Sequence, residues 1–143
     1  MSSPVDTTLI VDIGRSFLQY CSECWPWTSV EAQGARDRIL QLASRQQAHI
    51  AALIDISRER GQEVRMGTYP TEYTDLHYVA LDYLLEQLKA NQAGIVKTVM
   101  GIGAGISGDN ELSDLLYRVG KGEEKILNGL IEIQKKLKES STA

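Results

Sequence analysis

The sequence predicts an all-α fold, an antiparallel four-helix bundle, and three observations support this class. The chain has 143 residues, which is enough for one ordinary domain and too few for two. It contains only three prolines among many residues of high helix propensity. Apolar residues recur at helical spacing through four long segments. We therefore expect a single domain over residues 1–143, with helices at about 7–24, 29–60, 73–100 and 110–138.

The boundary between the first two predicted helices follows from Pro26. Proline disfavours helical geometry in the residue before it, so the first helix is expected to end at about Cys24. Thr28 or Ser29 can then cap the second helix, and Gly61 is a typical C-terminal stop for it.

A glycine-rich stretch separates the last two predicted helices. The third helix is expected to begin near residues 72–74 and to end at about Met100. Residues 101–108 include four glycines, which predicts a connector. Asp109 or Asn110 can cap the fourth helix, which ends among lysines that suit the negative end of a helix dipole.

Charge and hydropathy exclude two broad classes of partner. A net charge of −4 argues against nucleic acid, because phosphate binding requires a basic surface. No segment approaches the roughly 20 consecutive apolar residues of a membrane-spanning helix, and the N-terminus does not resemble a signal peptide. The two cysteines lie too close in sequence for a disulfide between them to link distant parts of the fold. We expect a cytoplasmic protein with no nucleic-acid or membrane partner.

Aromatic residues cluster in the predicted loops. Exposed aromatic side chains would suit an interface between copies of the chain, because such residues are enriched at interface cores. Alternatively, they close the ends of the bundle. We expect a homodimer or other homo-oligomer, and the residues concerned are Trp25, Trp27, Tyr69 and Tyr73.

Polar residues interrupt three of the apolar stripes at their centres. Gln46 lies at the middle of the apolar arc of the second predicted helix, with His49 one turn later at its edge. Gln92 and Glu123 occupy the same position on the third and fourth helices. An unpaired buried polar group costs about 1–3 kcal/mol. We therefore expect these side chains to meet at mid-bundle depth and to satisfy one another.

This pattern resembles the ferritin-like superfamily of rubrerythrin-like and Dps-like four-helix bundles. In its metal-binding members, two helices each supply a glutamate and two supply E-x-x-H, and together these hold two metal ions. Here residues 46–49 read Q-x-x-H, Gln92 replaces a lone glutamate, and Glu123 is followed by Ile126 in place of histidine. Residues 69–85 also look like bacterial ferritin-like proteins of unassigned function.

The departures from the family pattern concern charge. Iron in a two-metal site requires several anionic carboxylates, whereas Gln46 and Gln92 are neutral. The first predicted helix offers Ile13, Ser16 and Phe17 at its inner positions, and no carboxylate. The resemblance therefore implies a dismantled two-metal site, in which the polar residues form a structural hydrogen-bond network.

A second candidate site is the C-x-x-C motif of Cys21 and Cys24, which is typical of redox dithiols and of half zinc sites. The redox motif normally opens a helix after a strand, whereas this one closes a predicted helix. A zinc site would need a further ligand such as His77. His77 would approach the cysteines only if the connection after the second helix crosses the length of the bundle. Chain length allows both a crossover and an up-down-up-down hairpin, and the resemblance favours the crossover.

The sequence thus predicts a non-enzymatic ferritin-like bundle that acts through binding or assembly, without a cofactor. The first alternative is a metal-binding oxidase or storage protein that holds iron or zinc. Its reduced ligand set would be His49, Glu123, Gln46 and Gln92. The second alternative is a zinc or redox centre at the C-x-x-C motif with His77.

Overall fold

The computed structural model describes residues 4–25, 30–73 and 81–141. Within these ranges the regular structure is helical and no strand occurs, so the all-α prediction is confirmed. The same residues contain no helix with the length and apolarity needed to cross a bilayer. The described α-helices are α1 (Thr7–Gly14), α2 (Phe17–Glu23), α3 (Val30–Glu59), α4 (Leu81–Ala104) and α5 (Asn110–Ser141).

The first predicted helix is in fact two helices. The backbone leaves helical geometry at Arg15 and becomes extended at Ser16, whose φ is −66° and ψ is 162°. The Ser16 side chain then accepts a hydrogen bond from the backbone N–H of Gln19 and caps α2. The expectation of one helix over 7–24 is therefore wrong, because a serine cap inside the segment restarts the helix.

The glycine-rich stretch is also different from the prediction. α4 continues through Gly101 and Gly103 to Ala104, so only the residues after Ala104 connect α4 to α5. Glycine at position 103 allows this part of α4 to pack closely on α5, since a Cβ there would lie only 3.3 Å from Leu116 Cβ. Asp109 caps α5 as expected, accepting from the backbone N–H of Leu112 at 3.2 Å. α5 extends beyond the predicted end, to Ser141.

The start of the third predicted helix lies partly outside the described residues, which resume at Leu81. The same holds for the predicted cap residues of the second helix, Thr28 and Ser29. α3 is described from Val30 and ends at Glu59, close to the predicted stop at Gly61.

α1 and α2 follow one another along the same side of the helix assembly, because they contact the same two helices. Both helices contact α3 and α4, and α5 contacts α3 and α4 as well. The α4–α5 contact is the most extensive of the set. α3 and α4 therefore each lie between the α1/α2 pair and α5.

Two apolar cores fill the interior. The α2-side core takes residues from α2, the first half of α3, the start of α4 and the second half of α5. It consists of Phe17, Leu18, Tyr20, Cys21, Ala35, Ile39, Leu42, Ala43, Leu84, Leu85, Leu88, Ile126, Leu130 and Ile133. The α1-side core takes residues from the opposite halves of the same helices and from α1. It consists of Val5, Leu9, Ile10, Ile13, Leu53, Ile56, Ile95, Val99, Leu112, Leu115, Leu116 and Val119.

The segment after α3 contacts both cores in turn. Val64 and Met66 pack against the α1-side core, whereas Tyr69 and Tyr73 pack against the α2-side core. Gly14 makes room for this segment, because a Cβ at Gly14 would overlap the Met66 methyl group.

The end of α3 is tied to the start of α5 by a charge pair. Arg60 Nη1 and Nη2 donate to the two carboxylate oxygens of Asp109 at 2.6 and 3.0 Å. Both side chains are largely shielded from solvent, at 10% and 5% exposure. This bidentate geometry is the strong form of an arginine–carboxylate contact. It orients Asp109, the residue that caps α5.

Replacement of Gly101 by alanine tests the extended α4. A Cβ at this position meets no atom within 4 Å, and alanine loses less conformational freedom in a helix than glycine. We expect Gly101→Ala to raise the free energy of unfolding by about 0.5–1 kcal/mol in urea denaturation.

Gly108 provides the opposite control, since its φ of +77° disfavours a side chain. Gly108→Ala is expected to lower the free energy of unfolding. A decrease for Gly101→Ala as well would contradict a helix through residue 101.

Candidate functional site

A buried set of polar side chains lies between the two cores. We call it the polar cluster and define it as Ser16, Gln19, Gln46, His49, Gln92 and Glu123. The structure brings together Gln46, Gln92 and Glu123, as expected from their places in the apolar stripes. All members except His49 are buried.

Glu123 is the only carboxylate of the polar cluster, and both of its oxygens are engaged. Oε1 accepts from Gln46 Nε2 at 2.6 Å and from Gln92 Nε2 at 3.1 Å. Oε2 is in close contact with His49 Nδ1. Gln92 Nε2 also donates to the Glu123 backbone carbonyl at 3.0 Å, which fixes α4 against α5. The carboxylate has no exposed surface, so these donors replace the water that it would otherwise bind.

The Gln46 amide is fully used. Its Nε2 donates to Glu123 Oε1 and to Gln92 Oε1, the latter at 3.2 Å. Its Oε1 accepts from Ser16 Oγ and from Gln19 Nε2, each at 3.0 Å. A primary amide offers two donors and two acceptor positions, and this one has a partner for each. A glutamate here could not donate to Glu123 and would add a second negative charge beside it.

Sequence reasoning missed Gln19. The expected inner residues of the first helix were Ile13, Ser16 and Phe17, and all three are buried, with Ser16 in the polar cluster. Gln19 belongs to the polar cluster because α2 begins after Ser16, and this new helix turns the Gln19 side chain toward Gln46. Its Nε2 donates to the Ala43 carbonyl as well as to Gln46, and its Oε1 accepts from Gln47 Nε2 at 3.2 Å. The one signal in the sequence was its place three residues after a serine, which is the spacing of a helix cap.

His49 connects the polar cluster to the surface. Its side chain is 21% exposed, whereas the carboxylate that it contacts is fully buried. A Cβ on Gly122 would overlap the imidazole ring. Glycine beside Glu123 is therefore what allows the ring of His49 to reach the carboxylate across the α3–α5 interface.

The C-x-x-C motif has a different character. Cys21 is buried in the α2-side core, Cys24 is exposed, and both are free thiols. Burial, together with the nearby Cys24, raises the pKa of the Cys21 thiol well above its ordinary value. A thiol of raised pKa is a weak nucleophile and a weak metal ligand, because both roles require the thiolate. His77, the third residue of this predicted site, lies outside the described residues.

The aromatic loop residues pack inward where they are described. Tyr69 and Tyr73 lie with their ring centroids 5.3 and 5.4 Å from that of Tyr20, and Tyr73 is 4.9 Å from Phe17. These contacts favour the interpretation that the loop aromatics cover the α2-side core. Trp27 lies outside the described residues.

The described residues contain no group of three or more histidine, cysteine, aspartate or glutamate side chains placed to hold a metal ion. Comparison with protein-family models, curated proteins and solved structures finds no match for this chain.

Removal of the Glu123 carboxylate tests the polar cluster. Glu123→Ala leaves the amides of Gln46 and Gln92 and the ring of His49 without their acceptor. Each unsatisfied buried donor costs about 1–3 kcal/mol, so we expect the free energy of unfolding to fall by about 3 kcal/mol or more.

The adjacent Glu124 is a matched control, because its side chain is 47% exposed and forms a long ion pair with Lys121, at 4.0 Å. Glu124→Ala is expected to change the free energy of unfolding by no more than about 0.5 kcal/mol. Equal effects of the two substitutions in denaturant titrations would contradict the special role of Glu123.

Proposed function

We propose that this chain is a non-enzymatic bundle of ferritin-like topology that acts through binding or assembly. In this proposal, hydrogen-bonded amides stand where metal-binding relatives of that fold carry carboxylates. The observation that carries it is the Gln46 side chain, whose two donors and two acceptor positions are all used by other members of the polar cluster.

The composition of the two cores supports this topology. The ends of α3 and α4 share the α1-side core, and their beginnings share the α2-side core. Helices arranged in this way run in the same direction, so the chain between them must return along the bundle. α3 is about 45 Å long, and the roughly 20 residues between Glu59 and Leu81 can span more than that when extended. Contacts of residues 64–73 with first one core and then the other agree with this path.

The positions of the polar residues give further support. Each of the four helix positions supplies at least one side-chain amide or carboxylate to the polar cluster, namely Gln19 from α2, Gln46 from α3, Gln92 from α4 and Glu123 from α5. The resemblance noted above implies four carboxylates in such an arrangement. Three of the four are amides here, and buried Ile126 replaces a histidine. The order along the chain therefore matches the family pattern, while the charge does not.

The donor set does not fit two hard metal ions. Such ions require several anionic oxygen ligands, whereas the polar cluster contains one carboxylate. That carboxylate already accepts hydrogen bonds on Oε1 and contacts His49 through Oε2. Binding two cations would break these contacts and would leave the amide N–H groups facing positive charge. The polar cluster is better suited to fixing the register of the four helix positions.

Assembly would use the outer faces of the last two helices. Three large apolar side chains remain exposed there, namely Tyr83, Tyr117 and Ile131. Tyr117 is the most exposed of them, at 62%. Aromatic and aliphatic side chains of this kind provide the buried centre of interfaces between subunits.

The second candidate is a metal-binding protein with a reduced ligand set, and the contact between His49 and Glu123 is the observation that favours it. One imidazole and one carboxylate could bind a single zinc ion if the contact between them opened. Substitution of His49 by alanine would then reduce the metal content.

Restoration of the carboxylates tests the proposed function. We expect the natural chain to retain less than about 0.1 metal per chain after anaerobic loading with Fe(II) or Zn(II) and desalting, by elemental analysis. A variant with Gln19→Glu, Gln46→Glu, Gln92→Glu and Ile126→His is expected to bind about two. Metal present during refolding offsets the charge repulsion in this variant, and circular dichroism reports its folding.

A matched control carries Gln33→Glu, Gln41→Glu and Gln87→Glu, which add the same charge outside the polar cluster and are expected to add no tight metal. About two irons per natural chain, with oxygen consumption above that of a heat-killed sample, would contradict the proposal. About one zinc per natural chain, lost on His49→Ala, would establish the second candidate instead. A restored variant that folds but binds no metal would refute the family correspondence.

A further inference from the structure

A groove of about 410 Å³ lies between α1, the segment at residues 68–73 and α4. It shares no lining residue with the polar cluster, so nothing inferred from it depends on the proposed function. Small-molecule sites are concave, largely apolar and supplied with a few fixed polar groups. This groove is concave, and apolar and polar side chains both line it.

Arg15 is held in place at one end of the groove. Its Nε donates to the Gly67 carbonyl at 2.9 Å, and its guanidinium lies over the Tyr69 ring, 4.9 Å from the centroid. Gly67 has a φ of +67°, a conformation that favours glycine, and this turn presents the carbonyl. Arg15 Nη1 also donates to the Gly14 carbonyl at 3.4 Å. A guanidinium has five N–H donors, so these contacts orient it and still leave donors for an anionic group.

Asp12 lies one turn earlier on α1 and lines the same groove. None of the ion pairs among the described residues includes Asp12 or Arg15, so the two opposite charges do not neutralise each other. Asp12 is exposed, and partial loss of its hydration, together with the neighbouring Asp6, raises the pKa of its carboxyl. The carboxylate would therefore gain from a cationic partner.

The opposite wall of the groove is fixed and partly apolar. Asn91 on α4 accepts a hydrogen bond from the Phe17 backbone N–H at 3.2 Å, which anchors α4 at the start of α2. Ile95 on α4 lines this wall, and Leu9 lines the groove from α1. The groove therefore offers an acceptor for a cation, a donor for an anion and a hydrophobic surface beside them.

We propose that this groove binds a small aliphatic amino acid in its zwitterionic form, with the carboxylate on Arg15 and the ammonium on Asp12. The side chain lies against Leu9 and Ile95. A simple anion would leave Asp12 without a partner, and a simple amine would leave Arg15 without one. Only a ligand that carries both charges satisfies the two residues together.

Isothermal titration calorimetry on the full chain compares one amino acid with two analogues, each of which lacks one of its charged groups. L-leucine is titrated to about 10 mM, followed by 4-methylpentanoate, which lacks the ammonium, and 3-methylbutylamine, which lacks the carboxylate. We expect L-leucine to bind at least about tenfold more tightly than either analogue. Amide shifts of Asn91 and Thr98 in ¹H–¹⁵N spectra locate the site.

Two variants test the contributions of Asp12 and Arg15 separately. Asp12→Asn preserves shape and is expected to weaken L-leucine at least about tenfold without weakening 4-methylpentanoate. Arg15→Lys keeps the charge but loses the planar fork, and is expected to weaken both. Asp114→Asn, at an exposed carboxylate on α5 outside the groove, is the matched control and should change nothing.

Absence of L-leucine binding at the highest concentration would overturn the proposal. So would equal binding of all three probes, or shifts confined to residues outside the groove. Because the groove and the polar cluster share no residue, none of these three results affects the metal experiments on the polar cluster.

Discussion

One carboxylate without access to water organises this protein. Glu123 is fully buried, and a buried charge is tolerated only where hydrogen bonds replace its hydration. The donors come from α3 and α4, and Gln46 is in turn held by α2. The Glu123 carboxylate on α5 therefore links α3 and α4 directly, and α2 through Gln46. A network of this kind is satisfied in only one register of the helices, so it adds specificity to the packing of the apolar cores on either side.

Local features of the chain provide the hydrogen-bond partners and the space that this network requires. The interruption between α1 and α2 makes Ser16 both the cap of α2 and a donor to Gln46, two roles for one hydroxyl. Gly122 leaves the space that His49 needs, and the amide form of Gln46 avoids a second charge beside Glu123. These requirements are the reverse of those of a metal centre, which concentrates negative charge and keeps its ligands free of competing donors. In the proposed relation to metal-binding bundles, the residue type at a few positions decides between a hydrogen-bond network and a metal centre.

Helical periodicity was sufficient to predict the central residues. Gln46, Gln92 and Glu123 interrupt apolar stripes on long helices, and periodicity alone places them inward. It was not sufficient for Gln19, because that residue turns inward only after the helix restarts at Ser16, whose hydroxyl bonds Gln46 thirty residues away. The extension of α4 through Gly101 and Gly103 runs against the low helix propensity of glycine, and at Gly103 the helix lies close to Leu116 of α5, a contact that local propensity does not contain. The groove beside Arg15 depends on a segment fifty residues further along the chain, so no local pattern indicates it.

The side-chain amides of Gln46 and Gln92 provide the most direct test of this account. Their NH₂ resonances can be followed in ¹H–¹⁵N spectra of labelled protein during titration with Zn(II), with exposed Gln41 as the internal reference. The account predicts slow solvent exchange for both buried amides and no change in their shifts up to excess zinc. Exchange as fast as that of Gln41 would show that the two amides are open to solvent, and shifts that saturate at one or two equivalents of zinc would show that the carboxylate of Glu123 is available to metal. Either result would contradict a closed hydrogen-bond network around Glu123.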